Sequence, residues 1–169
     1  MKIRSATLAD AKDIAAIHVM SWRAAYSGII PENILINLNI ETKTDSWRST
    51  IEKGSPKLLV AVEDQKILGW AAFGPSRDSG AHSNVAELEA IYVHPQSWGH
   101  GSGKCLLVTA FAAMKNDSYK VVTLWVLSEN SRAMRFYESQ GFVQEIGARK
   151  TFDVGGRTLE EVRYRKEIN

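Results

Sequence analysis

The chain has 169 residues, of which 44% are hydrophobic, with 21 basic and 19 acidic side chains. The formal charge of +2 and the absence of a dense Lys/Arg cluster argue against nucleic acid as a partner. Cys105 is the sole cysteine, which excludes an intrachain disulfide and a multi-cysteine metal site. Because no run of 18 apolar residues and no leader-like segment occurs, we expect a soluble cytoplasmic protein without a membrane partner.

The first third of the chain is predicted to be mostly helical. Residues 2–6 alternate like a short strand, and Thr7 can cap the following helix, with Asp10 in an acidic variant of the capping box. That helix is expected to break within the SGIIP of residues 27–31. Residues 41–53 show a further helical pattern.

The remainder of the chain alternates between strand and helix patterns. Strands are predicted over residues 58–62, 67–73, 87–93, 121–127, 142–152 and 159–165, and helices over residues 103–114 and from Asn130 to Gly141. The polar EDQK of residues 63–66 marks a hairpin, and DVGGR marks the turn between the last two strands. No repeat or linker interrupts the pattern, so one mixed α/β domain over residues 1–169 is predicted.

The motif WGHGSGK, residues 98–104, is typical of loops that bind phosphate groups. A triphosphate loop would need glycine where Trp98 stands and a hydroxyl where Cys105 stands. A dinucleotide loop would need its third glycine at Lys104 and an acid near Val121. What remains is a strand, a turn with three alternate glycines, and the start of a helix. Backbone N–H groups in such a turn can bind one anionic group.

Two stretches now point to a family. The first is VAELEAIYVHPQSWGHGSGKCLL, residues 85–107, and the second is NSRAMRFYESQGF, residues 130–142. Together they resemble the GCN5-related N-acetyltransferase (GNAT) family, and WRAAYSGIIPE and GGRTLEEVRYRKEI extend the resemblance more weakly over the chain. The resemblance implies a central, mostly antiparallel, twisted sheet with helices on both faces. It also implies acetyl-CoA as cosubstrate without a metal, and it allows a homodimer.

The resemblance further implies which residues bind acetyl-CoA. These are Ile91, Tyr92, Val93, Trp98, Gly99, His100, Gly101, Ser102, Gly103, Lys104, Asn130 and Tyr137. Family members usually carry Gln or Arg at the position of Trp98, and often Lys or Arg at that of His100. Asn130 can also serve simply as a helix cap.

Acetyl transfer to an amine needs a base, because an amine resembling lysine has a pKa of about 10.4. Glu87 and Glu89 lie two residues apart on one strand and should share a face. The family comparison favours Glu87 as the base, with Glu89 as second choice. Tyr137 matches the family's general acid, which protonates the departing thiolate, although its helical spacing also allows simple packing.

The acceptor is expected to be a primary amine, either of a small molecule such as a polyamine or of a protein or peptide. Trp22 and Tyr26 lie four apart on the first helix and could line its pocket, or could pack in the core. The four histidines show no metal-site spacing. Two other classes stay open: an acetyl-CoA-binding sensor without turnover, and a nucleotide triphosphatase, which Trp98 and Cys105 disfavour.

Overall fold

The computed structural model describes residues 1–168, and a seven-stranded sheet is its central feature. The strands are β1 (Lys2–Ser5), β2 (Lys57–Glu63), β3 (Lys66–Pro75), β4 (Val85–Val93), β5 (Val121–Leu127), β6 (Val143–Val154) and β7 (Arg157–Glu167). Their spatial order is β1-β2-β3-β4-β5-β7-β6. In the described part of the chain, β4 and β5 form the one parallel pair and all other neighbours are antiparallel.

Helices connect β1 to β2, and further helices precede and follow β5 along the chain. They are α1 (Ala11–Ala25), α2 (Glu32–Ile36), α3 (Ile40–Lys53), α4 (Ser102–Asn116) and α5 (Ser131–Ser139). Helix α2 lies in a segment where no helix was predicted, because five residues are too few for a periodic pattern. The other four helices and all seven strands match the predicted elements, with ends shifted by a few residues.

The sheet is covered on both faces, which follows from alternation along β2. Leu58 and Val60 pack with Ile14 and Ile17 of α1 on one face. The intervening Leu59 and Ala61 belong to the cluster on the other face, which contains Leu106, Leu107 and Ala110 of α4. Successive strand side chains point to opposite faces, so one apolar run supports two cores. The predicted mixed α/β fold with a mostly antiparallel sheet and helices on both faces is confirmed.

The start of the first helical segment is fixed by the predicted capping interaction. The carboxylate of Asp10 accepts hydrogen bonds from the Thr7 backbone N–H at 2.7 Å and from both terminal nitrogens of Arg4 at 2.7 and 2.8 Å. The side-chain hydrogen bonds from Arg4 outweigh the cost of burial and lower the pKa of Asp10 to about 2. The acidic cap therefore also ties β1 to the beginning of α1.

His18 of α1 is buried in an aromatic cluster with Trp47, Trp70 and Tyr92. Its ring stacks on Tyr92 at 5.6 Å between centroids, and the Trp47 indole N–H donates to His18 Nδ1 at 3.1 Å. Burial, aided by the charge of Lys43, lowers the pKa of His18 from 6.5 to about 4. The imidazole is therefore neutral in the folded protein at neutral pH, and its role in the fold is structural.

The free energy of unfolding is expected to fall as the pH drops from about 6.5 to about 4. The unfolded chain binds a proton at His18 more readily than the folded one, so this stability is complete above the unfolded pKa. The loss should reach roughly 3 kcal/mol. Denaturant unfolding of wild type and His18→Gln across this range measures it, and the variant should show a shallower decline. Equal pH dependence in the two proteins would contradict the assignment.

Candidate functional site

A cavity of about 380 Å³ opens where the two parallel strands separate. β4 and β5 pair only from Val85↔Val121 to Glu87↔Thr123. Beyond Glu87, β4 no longer pairs with β5, and residues 88–93 of β4 line the cavity. The loop before α4 and one side of α5 complete its wall. A concave site at the point where strands diverge is a favourable place for a ligand.

A β-bulge in β4 determines which carboxylate lines this cavity. Ala72 pairs with Ala90 and Phe73 pairs with Leu88, so Glu89 is the extra residue between them. A bulge interrupts the simple alternation of side chains and often re-aims one beside an active site. Glu89 lines the cavity and Glu87 does not. The sequence predicted that both would share one face; both contact Arg77 and line a neighbouring cavity, but only Glu89 also lines this one.

Arg77 binds both carboxylates, but in different ways. Glu87 is 2% exposed and accepts hydrogen bonds from the Arg77 backbone N–H at 2.9 Å, from Nε at 3.1 Å and from Nη2 at 2.5 Å. Glu89 has one looser contact, with Arg77 Nη1 at 3.3 Å. Burial raises the pKa of Glu89; Arg77 opposes this and the Glu87 charge adds to it. Glu89 is thus the carboxylate with the weaker pairing to Arg77, and its burial favours the protonated form.

The glycine turn presents backbone donors to the same cavity. Gly99 and Gly101 have φ angles of +81° and +86°, a region that side chains rarely adopt, and α4 begins directly afterwards at Ser102. The first N–H groups of a helix have no partner within it. The Ser102 hydroxyl is buried without a hydrogen-bond partner among the described residues. Ser102, Gly103 and Lys104 all line the cavity, so an anion there would meet several unsatisfied donors.

Trp98 supports a cation that the sequence analysis did not identify. Its indole N–H donates to the Val93 carbonyl at 2.7 Å, and the guanidinium carbon of Arg132 lies 3.4 Å from the centre of its ring. Arg132 stands in the first turn of α5, lines the cavity and has no ion pair among residues 1–168. A cation near a helix N-terminus is unfavourable without an anion nearby. No sequence signal separated it from the other arginines.

His100 is the one predicted loop residue that the structure places outside the cavity. Its side chain is exposed, and it does not line the cavity wall, unlike its neighbours Gly99 and Gly101. Val93 does line it, and the Val93 carbonyl accepts hydrogen bonds from the Ser21 hydroxyl and from Trp98. Trp98 and His100, the two loop residues that differ from the common family pattern, therefore have different positions. Trp98 lines the cavity, whereas His100 lies beside it.

Tyr137 of α5 lines the cavity with its phenol ring largely buried. The ring contacts Phe136 and Phe142 at centroid distances of 5.4 and 5.8 Å. Burial is the main cause that raises the pKa of Tyr137 above its ordinary value, and Tyr26 adds to it. The hydroxyl makes no hydrogen bond within residues 1–168. It is therefore a protonated donor at neutral pH whose proton is not committed to the protein.

The predicted acceptor-side aromatics have different positions. Tyr26 lines the cavity, and its hydroxyl lies 3.3 Å from the Tyr92 hydroxyl. Trp22 does not line it and packs edge-on against Tyr26 at 5.1 Å within a small apolar cluster. The core interpretation therefore fits Trp22 and the pocket interpretation fits Tyr26.

Asn130 both caps α5 and lines the cavity. Its side-chain oxygen accepts a hydrogen bond from the Ala133 backbone N–H at 3.1 Å, as expected for an N-cap. Its amide nitrogen makes no hydrogen bond in the described part of the chain. Capping therefore uses only the side-chain oxygen of Asn130 and not its amide nitrogen.

A second cavity of about 310 Å³ adjoins the first, with which it shares Glu89 and Trp125. Its walls are formed by residues of four strands and of the segment after β3, and all of these residues except Trp125 are charged. They are Arg77, Asp78, Glu87, Glu89, Trp125, Lys150 and Glu161. Asp78, Lys150 and Glu161 were not among the predicted site residues; the proximity of Lys150 and Glu161 depends on how β6 and β7 pair beside β5.

Within residues 1–168, two kinds of feature are absent. No group of three or more His, Cys, Asp and Glu side chains is arranged to hold a metal ion. None of the described helices combines the length and apolar character needed to cross a bilayer.

Comparison with known proteins gives consistent results. Residues 17–142 match the model of the acetyltransferase (GNAT) family. The uncharacterized N-acetyltransferase YuaI of Bacillus subtilis is 35% identical over 162 residues, covering 95% of this chain and 89% of the relative. The spermidine N(1)-acetyltransferase of Thermoplasma acidophilum is 27% identical over 153 residues, covering 86% and 89%.

The solved structures agree at the level of the fold. The PaiA N-acetyltransferase of Thermoplasma acidophilum, in complex with coenzyme A, superposes with a TM-score of 0.79 at 24% identity and covers 98% of both chains. The family match spans well over half of this chain, and YuaI is similar along nearly all of it. The chain therefore belongs to the acetyltransferase (GNAT) family and is an N-acetyltransferase.

Proposed function

We propose that the protein transfers an acetyl group from acetyl-CoA to a primary amine by direct attack, with Glu89 as the base and Tyr137 as the acid. The observation that carries this proposal is that one cavity is lined both by the anion-binding glycine turn and by these two side chains. The complex of coenzyme A with a protein of the same fold supports the choice of donor.

The anionic half of the donor fits the turn after β4. The backbone N–H groups around Gly101, the Ser102 hydroxyl and the Arg132 guanidinium are donors without acceptors among residues 1–168. Phosphate oxygens would satisfy all three. In this chain the stacked Arg132 supplies a cation that other family members often place in the loop itself.

The chemical step assigns one proton transfer to each side chain. Glu89 accepts the proton that the amine loses, directly or through one water, as the nitrogen forms its bond to the acetyl carbonyl carbon. The carbon–sulfur bond then breaks, and Tyr137 gives its phenolic proton to the departing thiolate. Glu89 is preferred to Glu87 as the base because Glu87 is buried against Arg77 and does not line the cavity.

Replacing Arg132 by Gln is expected to weaken acetyl-CoA binding roughly 10-fold, the effect of losing one exposed charge-assisted contact to phosphate. Calorimetry measures the affinity. Arg135→Gln, on the same helix but outside the cavity, is the matched control and should bind normally. S-acetylpantetheine is a shortened donor that lacks the pyrophosphate. Wild type and Arg132→Gln should bind it with equal affinity. Unchanged acetyl-CoA affinity in a folded Arg132→Gln protein would remove Arg132 from the site.

A thiol-release assay with acetyl-CoA tests the proposed function against a panel of amines and peptides. The proposal expects release that depends on the acceptor, and a relative that is a spermidine N(1)-acetyltransferase supports including polyamines in the panel. Acetyl-CoA binding without release for every acceptor would favour the alternative, a sensor or interaction module. The presence of both Glu89 and Tyr137 in the cavity argues against that alternative, since a pure binder needs neither.

A further inference from the structure

The second cavity contains more carboxylates than cations. Four carboxylates and two cationic groups line it. It shares Glu89 and Trp125 with the cavity assigned to acetyl-CoA, so an acceptor that reaches the base Glu89 from this side meets these charges. The charge pattern therefore bears directly on which amines the site accepts.

Both cations of this cavity are already paired within the protein. Arg77 is held by Glu87 and Glu89. Lys150 Nζ lies 2.9 Å from Asp78, and Arg163 binds the other oxygen of Asp78 at 3.1 Å. Neither Arg77 nor Lys150 is therefore free to receive a carboxylate of the acceptor without giving up an existing ion pair.

Glu161 is the carboxylate of this cavity that is unpaired within the described part of the chain. It projects from β7, opposite Lys150 in the β6–β7 ladder and opposite Leu127 in the β5–β7 ladder. It forms no ion pair or hydrogen bond within residues 1–168. Burial raises its pKa, an effect that Lys150 and Arg77 oppose. A half-buried, unpaired carboxylate is costly by itself and becomes favourable when a cation binds it.

One primary ammonium group, that of Lys150, already lies against Trp125 in this cavity. Lys150 Nζ lies 3.8 Å from the centre of the indole ring, while the indole N–H donates to Asp78 at 3.0 Å. An ammonium between an aromatic face and a carboxylate is a stable arrangement. The groups lining the cavity thus suit alkylammonium ions.

We infer that the acceptor is an amine carrying a second cationic group, and that Glu161 binds this second group while the reacting amine lies at Glu89. The inference rests on the proposed function and specifies its substrate class. An acceptor with one amine would leave Glu161 unpaired. An acceptor with a carboxylate in place of the second cation would add a further negative charge beside Glu161 and Asp78.

Three acceptors of the same chain length test the inference on the wild-type protein. They are 1,4-diaminobutane, butylamine and 4-aminobutanoate, compared by kcat/KM in the thiol-release assay. We expect the diamine to exceed butylamine about 10-fold or more, and 4-aminobutanoate to be the poorest. Equal values for diamine and butylamine, or a preference for 4-aminobutanoate, would overturn the inference. Turnover of butylamine would still uphold the proposed function, whereas no release with any amine would contradict that function itself.

Glu161→Gln tests the assigned residue. The variant should raise KM for the diamine about 10-fold with little change in kcat, and should leave butylamine unaffected. The neighbouring Glu160→Gln, which removes an ion pair with Arg149 outside the cavity, is the matched control and should behave as wild type. An equal loss for diamine and butylamine in Glu161→Gln would show a general structural role and overturn the assignment.

Discussion

Tyr137→Phe is expected to lower kcat by about 10²- to 10⁴-fold while leaving acetyl-CoA affinity nearly unchanged. The substitution keeps the ring contacts with Phe136 and Phe142 and removes only the hydroxyl. That hydroxyl makes no hydrogen bond among the described residues, so little stability depends on it. Steady-state rates across pH, measured beside a binding isotherm, separate catalysis from binding.

The pH profile adds a second readout for Tyr137. Because burial raises the pKa of Tyr137 above the ordinary value of about 10, the wild-type enzyme should keep its general acid beyond that pH. At still higher pH, wild-type activity should decline as Tyr137 loses its proton. This decline in activity should be absent or displaced in Tyr137→Phe. Near-wild-type turnover in a folded Tyr137→Phe protein would leave Tyr137 as a packing residue beside the thioester.

Glu89→Gln should lower kcat/KM by about 10²- to 10⁴-fold near neutral pH and more at lower pH, where fewer acceptor molecules are already deprotonated. In the wild-type enzyme, activity should fall as the pH drops through the raised pKa of Glu89, because a protonated carboxyl cannot accept the amine proton. In the variant the inflection caused by Glu89 should disappear, and the rate should instead follow deprotonation of the acceptor amine over the whole pH range. Rates measured from mildly acidic to alkaline pH test both points.

Glu87→Gln is the informative comparison for Glu89→Gln. Its buried carboxylate accepts three hydrogen bonds from Arg77, so the variant should lose about 1–3 kcal/mol of unfolding free energy. Its rate should fall less than that of Glu89→Gln, through loosened placement of Arg77 and Glu89. If folded Glu87→Gln instead loses this inflection of the pH profile and Glu89→Gln keeps it, the base is Glu87, as the family comparison alone suggested.

Much of the fold was predictable because periodicity and capping are local properties. The alternation of Leu58 to Ala61 predicts a strand, and the Thr7–Asp10 pair predicts the start of the first helical segment. The order of the strands in the sheet depends on long-range pairing and was not predicted; that the sheet is mostly antiparallel came only from the family resemblance. Helix α2 escaped prediction because its five residues carry no full period.

The site was predictable to the extent that it lies along one continuous stretch of chain. The positive φ angles of Gly99 and Gly101 explain why glycine stands at both positions of the turn, since only glycine adopts them easily. That the turn binds an anion stays a prediction. The choice between Glu87 and Glu89 depends on a bulge that no alternation pattern shows. Arg132 and Glu161 join the site through the packing of α5 and the pairing of β7, which a linear motif cannot express.

The most direct test of the central claim follows both products of one reaction with acetyl-CoA and 1,4-diaminobutane. The account predicts one N-acetylated amine, identified by mass spectrometry, for each free thiol of coenzyme A released. Both products should fall together in Tyr137→Phe and in Glu89→Gln. Thiol release without an N-acetylated product, or tight acetyl-CoA binding with no release for this or any other amine, would contradict the account.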